Sequence, residues 1–444
     1  MLVVGNGRLV TRDSENKFFP DGAVAIDGKL IKKVGTTAEI RKEFPDAEYI
    51  DAKGGLIMPG FINMHHHIYS AFARGISLNN YAPSDFVSIL DGMWWRIDRI
   101  LTLEDTYQSA MTTYMDCVKS GVTTIFDHHA SFGHIEGSLM KIAEAADIFG
   151  VRSNLCFEVS DRDGEAKMRA AVKENADFIK YSQTRTDDKI KAAMGMHAAF
   201  TLSDATMALC RENTPEGVGF HIHTAEAMSD VQDSLKKYGK PIVNRLFDLG
   251  LLGEKTITPH CVHVGPHEMK LLADTNTMVV NNPESNMGNA VGCAPVIRMM
   301  NEFNVFMGMG TDGYTSDMTE SYKVGNIIHK HHLADPTVAW GEMPTMLFDN
   351  NHKMANRYFD TKLGVLEAEA AADVIVVDYY GPTPMDGSNV NGHILFGVNG
   401  GMVTDTIIAG DVKMRSRELV GLDAQKIAAD SQAQAADFWK RVNA

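Results

Sequence analysis

Hydrophobic and polar positions change their rhythm twice along the chain. Over the first 55 residues short apolar runs alternate with polar positions and are broken by Gly and Asp, as in "LVVGNGRLV", "GAVAIDGKLIKKVG" and "AEYIDAKGGLIMPG". Alternation bounded by such residues predicts strands, with "GNG" and "DGK" read as hairpin turns. From about residue 57 to 320, short β-rich runs alternate with longer stretches at helical spacing, the pattern of strand–helix units on a parallel sheet. The strand candidates are 56–65, 121–130, 152–160, 191–200, 217–226, 255–264, 277–285 and 304–313, with helices between them at 102–121 and 233–252 among others. After a further helical stretch, strands are predicted at 372–380, 393–400 and 402–414, and a last helix over about 423–443.

Eight strand–helix units over roughly 260 residues match the dimensions of a TIM-type barrel. The expected fold is therefore α/β: a (β/α)8 barrel over 56–362, with a small β-sandwich built from 1–55 and 363–444, the last helix included. No internal repeat beyond the strand–helix alternation and no low-complexity segment is present.

In such a barrel the chemistry collects at the C-terminal ends of the strands. His65 with His67, His128, His197, His223 with Glu226, His260, and Asp312 all fall at the ends of separate predicted strands. Within "FINMHHHIYS", positions i and i+2 of a strand point to one side and i+1 to the other. His65 and His67 can then converge on one ion, and His66 faces elsewhere. In "HIHTAE", His223 and Glu226 both face the mouth if the strand breaks after His223, pairing an imidazole ligand with a proton-shuttling carboxylate. His221 reads as a satisfied barrel histidine. In "MGMGTDG", Asp312 follows a buried apolar strand and needs a partner there, which a cation supplies. Three imidazoles and one carboxylate suit a single divalent ion, Zn²⁺ or the alternative Fe²⁺, with a position left for water.

Composition narrows the setting. Of the 444 residues 44% are hydrophobic and 22% charged, a profile with a sizeable core. The net charge of −15 weighs against nucleic acid or an anionic membrane as partner. The five cysteines form no CxxC pair and no framework, as expected of reduced thiols in a reducing compartment. No signal peptide and no apolar run long enough for a membrane span is read, so a cytoplasmic location is expected.

The strings "PGFINMHHH", "HTAE", "HCVH" and "GTDG", in that order and spacing, resemble the amidohydrolase superfamily. Within it they are similar to the branch of cytosine, guanine and S-adenosylhomocysteine deaminases and s-triazine hydrolases. The longer strings "HHHIYSAFARGI", "WWRIDR", "DHHAS", "NNPESNMGN" and "HILFGVNGG" resemble SsnA-type aminohydrolases.

The resemblance implies that His65, His67, His223 and Asp312 hold one metal ion. Asp312 would also take a proton from the attacking water, with His260 orienting that water and steadying the oxyanion. Glu226 would protonate a ring nitrogen of the substrate. His197 matches a histidine that contacts substrate in related deaminases. Lys191 lies six residues before it, too early for the carboxylated lysine of two-metal relatives, so a mononuclear site is expected. The chain departs from the pattern at Asn281, where many relatives carry His, and at Ser70, where some carry Gln. His128, Ser70, Arg74, Trp95 and Arg96 are further pocket candidates, Trp95 to stack on a flat ring and the arginines to meet a carbonyl or carboxylate. "HKHH" at 329–332 reads as a solvated helical stretch.

The expected activity is hydrolytic deamination of a purine-like or related nitrogen heterocycle, a small-molecule substrate. Ring-opening hydrolysis of a cyclic amide is the alternative at the same site. A non-catalytic metal-binding barrel would have no use for Glu226 and His260. Relatives are commonly oligomeric, which suggests a homodimer.

Overall fold

The computed structural model describes residues Met1–Ala444. The chain opens with β1 (Leu2–Val10), β2 (Phe18–Asp27), β3 (Leu30–Thr36), β4 (Glu48–Asp51) and β5 (Leu56–Pro59). The "DGK" turn joins β2 to β3, with Asp27 opposite Leu30. The "GNG" triplet is not a turn: β1 runs through it as a bulge, with Asn6 in the left-handed region at φ 59°. Before the bulge β1 pairs with β4, and after it with β5, so the bulge is where the sheet forks. Glycine is required at position 7, where a Cβ would lie 2.8 Å from Ile57 Cδ1.

The barrel strands follow as β6 (Phe61–His66), β7 (Val122–His129), β8 (Arg152–Phe157), β9 (Ile190–Ala192), β10 (Met194–Ala198), β11 (Phe220–His223), β12 (Ile257–Pro259), β13 (Met278–Asn281) and β14 (Met307–Met309). They form two parallel arcs, β6 to β9 and β10 to β14, with β9 and β10 sharing one barrel position split at Ala193. Backbone hydrogen bonds join the arcs at both seams. His197 N donates to Val159 O at 2.9 Å, and Thr311 N and Asp312 N donate to His65 O at 3.0 and 2.9 Å. Gly310 permits the second seam, because a Cβ there would sit 2.8 Å from His65 O.

The barrel strands are shorter than the apolar runs that predict them. Their polar ends leave the ladder and become the loops of the mouth. The expected first strand, 56–65, also divides at Gly60, and its first half, β5, belongs to the terminal sheet, so the hand-over to the barrel lies at Gly60 rather than at 55/56. The helix expected over 233–252 is two, Met228–Tyr238 and Ile242–Asp248. Pro241 between them has no N–H to continue the ladder.

The chain ends with β15 (Val374–Val377), β16 (Val403–Ile408), β17 (Asp411–Arg415) and β18 (Glu418–Leu419). β15 pairs antiparallel with β5 on one side and β16 on the other, which makes one nine-stranded sheet from both ends of the chain. The strand expected at 393–400 is instead the helix Val390–Gly397; Val390, Ile394 and Leu395 are buried at helical spacing. The last helix, Ala424–Val442, packs on the barrel and not on the sheet. Ile427, Phe438 and Val442 join the barrel's apolar core, and Arg441 pairs with the buried Asp105 at 2.7 Å. No helix is long and apolar enough to cross a membrane.

Candidate metal centre and active site

Each side chain of the site leaves a strand end. His65 and His67 end the first barrel strand, His223 the fifth, and Asp312 follows the eighth. His65 Nε2 lies 3.1 Å and His67 Nε2 2.8 Å from Asp312 Oδ1, and His67 Nε2 is 3.1 Å from His223 Nε2. The four ligand atoms of His65, His67, His223 and Asp312 all fall within 4.8 Å of one another. His66 faces the other way and meets Thr311 Oγ1 through Nδ1 at 2.9 Å.

The Nδ1 atoms are already employed. His67 Nδ1–H donates to His128 O at 2.5 Å, His223 Nδ1–H to His197 O at 2.9 Å, and His65 Nδ1 meets His221 Nε2 at 2.9 Å. Such outer contacts fix tautomer and ring orientation and leave Nε2 as the free lone pair. Burial above all holds His65 and His223 well below the ordinary imidazole range, so both present neutral lone pairs. His67 is pushed up to about 9, since Asp312 overcomes its burial, and Asp312 is held well below the carboxylate range by His67 and His65 against its own burial. Three neutral-capable imidazoles and one carboxylate converging through preset tautomers fit a divalent ion of zinc type.

The backbone is strained around these groups. His260 and Asp312 have φ of 73° and 55°, a region that non-glycine residues enter rarely. His260 Nδ1 donates to Asn286 Oδ1 at 2.8 Å, while its buried Nε2 has no partner and lies 3.6 Å from Glu226 Oε2. Glu226 Oε1 accepts from Asn289 at 3.3 Å, and burial pushes Glu226 up to about 7. Ser285 donates to Asp312 Oδ2 and accepts from Asn289, linking the two carboxylates through one strand-end helix.

The pocket above encloses about 700 Å³ including its open mouth. Its walls are aromatic on one side, with Tyr69, Trp94, Trp95, Phe200 and Tyr314, and carry His197 and Glu226 near the ligands. Trp95 stands edge-on to His197 with ring centres 6.0 Å apart, backed by Arg162.

Several candidates lie elsewhere. His128 is fully buried behind the ligands, with Nε2 donating to His221 O. Arg96 is turned away from the pocket: it donates to Val442 O and Asn79 O and so clamps the C-terminal helix. Arg74 and Ser70 line an outer vestibule, where Arg74 pairs with Asp116 at 3.1 Å in solvent. His221 supports His65 and reaches no pocket wall. Of "HKHH", His331 and His332 are exposed, but His329 is buried against Cys293 and Asn281 because the helix Met318–Leu333 turns that face inward.

One residue at the mouth escapes the sequence reading. Glu158 directly follows β8, is 2% exposed, and lies 3.3 Å from His128 Nδ1 and 3.5 Å from His67 Nδ1. Its burial would raise it, but His197, His128 and His67 hold it well below the usual carboxylate range. The strand-end rule that selects the histidines, applied to "NLCFE", selects Glu158 too.

A ring of parallel strands with buried histidines and carboxylates at its C-terminal mouth defines a barrel with a candidate metal centre. The chain belongs to the amidohydrolase family, whose model matches residues 56–413. Residues 22–47 match a bacterial imidazolonepropionase-like composite domain. The chain is 30% identical over 448 residues to a 5'-deoxyadenosine deaminase of Methanosarcina barkeri, covering 100% of this chain and 99% of the relative. It is 30% identical over 421 residues to a 5-methylthioadenosine/S-adenosylhomocysteine deaminase of Thermococcus sibiricus, covering 93% and 94%. Among solved structures, a zinc-bound adenosine deaminase from Xanthomonas campestris superposes with a TM-score of 0.86 at 23% identity, over 99% of this chain and 98% of that one. Zinc-bound atrazine chlorohydrolase from Arthrobacter aurescens gives 0.82 at 20% identity, over 98% and 100%. The activity is thus that of a hydrolase acting on carbon–nitrogen bonds.

Proposed function

We propose that the protein is a mononuclear zinc aminohydrolase that deaminates a purine-like or related nitrogen heterocycle. The observation that carries this reading is Glu226: a buried carboxylate, pushed up to about 7 by burial, beside the four-ligand cluster and in a pocket with aromatic walls. His65, His67, His223 and Asp312 would hold the ion, which when bound supplies a nucleophile from water at neutral pH.

This chain's residues handle the protons. Asp312 takes one from the attacking water. Glu226 delivers one to the ring nitrogen next to the attacked carbon, so addition strands no negative charge on the ring. His260, its Nδ1–H held by Asn286, orients the water through Nε2, and with a proton at Nε2 it steadies the developing oxyanion. The proton on Asp312 then passes to the exocyclic nitrogen, which leaves as ammonia, while the remaining hydroxyl proton returns to Glu226 as the carbonyl forms. The relatives' names, deaminases of adenosine-type nucleosides, favour ammonia release over ring opening. Five unpaired thiols suit a reducing cytoplasm.

The test is a panel of aminoheterocycles and cyclic amides incubated with zinc-loaded protein and scored for both ammonia and ring-opened acid. Ammonia is expected, and Glu226→Gln should keep its zinc while losing about 100-fold or more in kcat. Ring-opened acid alone, or full activity in Glu226→Gln, overturns the assignment.

A further inference from the structure

A second, smaller cavity of about 280 Å³, its opening included, lies at the N-terminal end of the first barrel strand, away from the mouth. It runs under Gly60, Phe61 and Ile62 at the start of β6 and against Leu347 and Phe348, which precede the helix Asn351–Ala355. Its walls are apolar except for two side chains, Arg12 and His352. The mechanism above uses neither.

Arg12 reaches the cavity from the terminal sheet. It stands two residues past β1 in left-handed backbone, φ 55°, on a loop pinned where Leu366 N donates to Thr11 O at 2.7 Å. The residue is only 5% exposed. The flat face of its guanidinium lies on the Phe348 ring, 3.9 Å from the ring centre, which leaves the N–H groups around its edge to find acceptors. Nε and Nη2 are sealed from solvent and have no partner. These two nitrogens form the fork that meets two oxygens of one carboxylate or phosphate together. His352 Nδ1, on the same cavity, is likewise sealed and unpartnered.

The charges around the pair leave the same demand. Burial lowers Arg12 to about 10, with Asp349 and Tyr322 pulling the other way, so it is still a cation at pH 7. Asp349 is exposed and is not part of the cavity wall. Burial lowers His352 to about 4, with Lys353 and Lys362 adding, so the imidazole is neutral and offers an N–H from Nδ1 in one tautomer. A buried cation without a counter-charge is among the costliest groups a protein holds. Water accepts from such donors but brings no charge. An anion brings both.

We propose that Arg12 and His352 form a binding site for one small oxyanion, a carboxylate or phosphate group, that ties the terminal sheet to the floor of the barrel. Arg12 Nε–H and Nη2–H donate to the anion as a fork, and His352 Nδ1–H donates from the barrel side. Met58, Phe61, Ile62 and Leu347 keep water from the bonds, and a charge-assisted bond is stronger in such surroundings. In barrels of this kind the face opposite the mouth serves stability and not chemistry, so the anion should act on unfolding.

The test measures Tm of the zinc-loaded wild type and of Arg12→Met in low-salt buffer and with inorganic phosphate, acetate or chloride at about 100 mM. Phosphate stabilises proteins generally, and either oxyanion can also meet the metal centre, so the quantity read is the wild-type shift minus the Arg12→Met shift. For a Kd of about 1 mM that difference should be about 3 °C in phosphate or in acetate. The anion that produces it assigns the source, phosphate or carboxylate. Arg12→Met exchanges a buried charge for an apolar chain and should match or exceed the wild-type Tm in low-salt buffer. His352→Leu should weaken the oxyanion effect about 10-fold in concentration, and it carries the same comparison if Arg12→Met does not fold. Asp349→Asn should keep or enlarge the oxyanion shift. Equal shifts in wild type and Arg12→Met in every salt overturn the proposal, and a difference that appears only in the Asp349→Asn background makes Asp349 the partner of Arg12 instead. A chloride difference as large as that of either oxyanion overturns the fork in favour of a monatomic ion.

Discussion

The barrel mouth and the terminal sheet bury their residues on opposite terms. In the sheet the buried side chains are apolar, Val24, Ile26, Ile57, Val374, Val376 and Ile407, each on a hydrogen-bonded strand. At the mouth the buried groups are imidazoles and carboxylates. Ala225, His260, Cys261 and Asp312 there take left-handed backbone, and His260 Nε2, His128 Nδ1 and Glu158 Oε1 go without a partner. Regular apolar burial stabilises in proportion to area, whereas buried polar groups without partners are a standing penalty. The protein therefore concentrates stability where no chemistry occurs and tolerates unsatisfied groups where a ligand can satisfy them. If that division is real, variants of the two regions should fail in different ways.

The largest effect should come from the metal ligands. His65→Ala and His67→Ala each remove one of four converging donors and should lose bound zinc and at least about 10³-fold in turnover. His66→Ala removes a ring that meets Thr311 on the far side of the strand and should keep zinc near full stoichiometry. Metal content by elemental analysis, read beside ammonia release, separates the two. Zinc lost equally from all three variants would mean that the histidine run acts as one folding unit.

That contrast was legible in the sequence because strand periodicity is strict: i and i+2 share a side whatever the surroundings. The ladder order, the eight barrel positions and the chain's return to the first sheet follow from the same rhythm. What periodicity cannot show is which polar residue at a strand end reaches inward. Arg96 directly follows the pocket residue Trp95 in sequence but spends its guanidinium on the last helix, a contact 346 residues away. Glu158 stands one residue past an apolar run and looks like any strand-ending Glu until the imidazoles of three other strands are placed around it. The "GNG" bulge and the helix at Val390–Gly397 were hidden for a related reason, since a glycine-broken apolar run serves a turn, a fork or a helix according to its tertiary partners.

The join between the two regions comes next. Arg152 at the start of β8 and Asp373 just before β15 meet at 2.9 Å, with each side chain 3% exposed. Asp373 also accepts from Ala409 N at 2.7 Å, so one carboxylate ties barrel to sheet. Asp373→Ala strands a buried guanidinium and should cost about 3–5 kcal/mol in chemical denaturation, with turnover per folded molecule unchanged. Ile57→Ala tests the sheet alone. Its side chain is fully buried against β1 and β15, and its loss should cost about 3 kcal/mol without moving KM. A change in KM for either variant would show that the sheet shapes the pocket.

The smallest effect is a pH effect, and it probes a histidine that belongs to neither region. His329 lies on the buried face of the helix Met318–Leu333, with Cys293 Sγ at 3.3 Å from Nδ1 and Asn281 Nδ2 at 3.5 Å from Nε2. Burial, with His332 and Lys330 adding, lowers it from an ordinary 6.5 to about 4. A lowered imidazole binds its proton more weakly in the folded than in the unfolded chain. Its contribution is whole above pH 6.5 and drains away as pH falls toward 4, reaching about 1 kcal/mol of lost stability by pH 5.5 and about 3 kcal/mol below pH 4. His329→Gln cannot take up that proton. Urea denaturation at pH 7.5 and 5.5 should show the wild type losing about 1 kcal/mol more than the variant between the two. Because Cys293 and Asn281 still surround the glutamine, the variant's stability at pH 7.5 sets the reference, and only the difference in slope carries the assignment. Equal slopes would mean that the helix opens enough at pH 5.5 for His329 to take up its proton in water, and that this face of the barrel is looser than its packing implies.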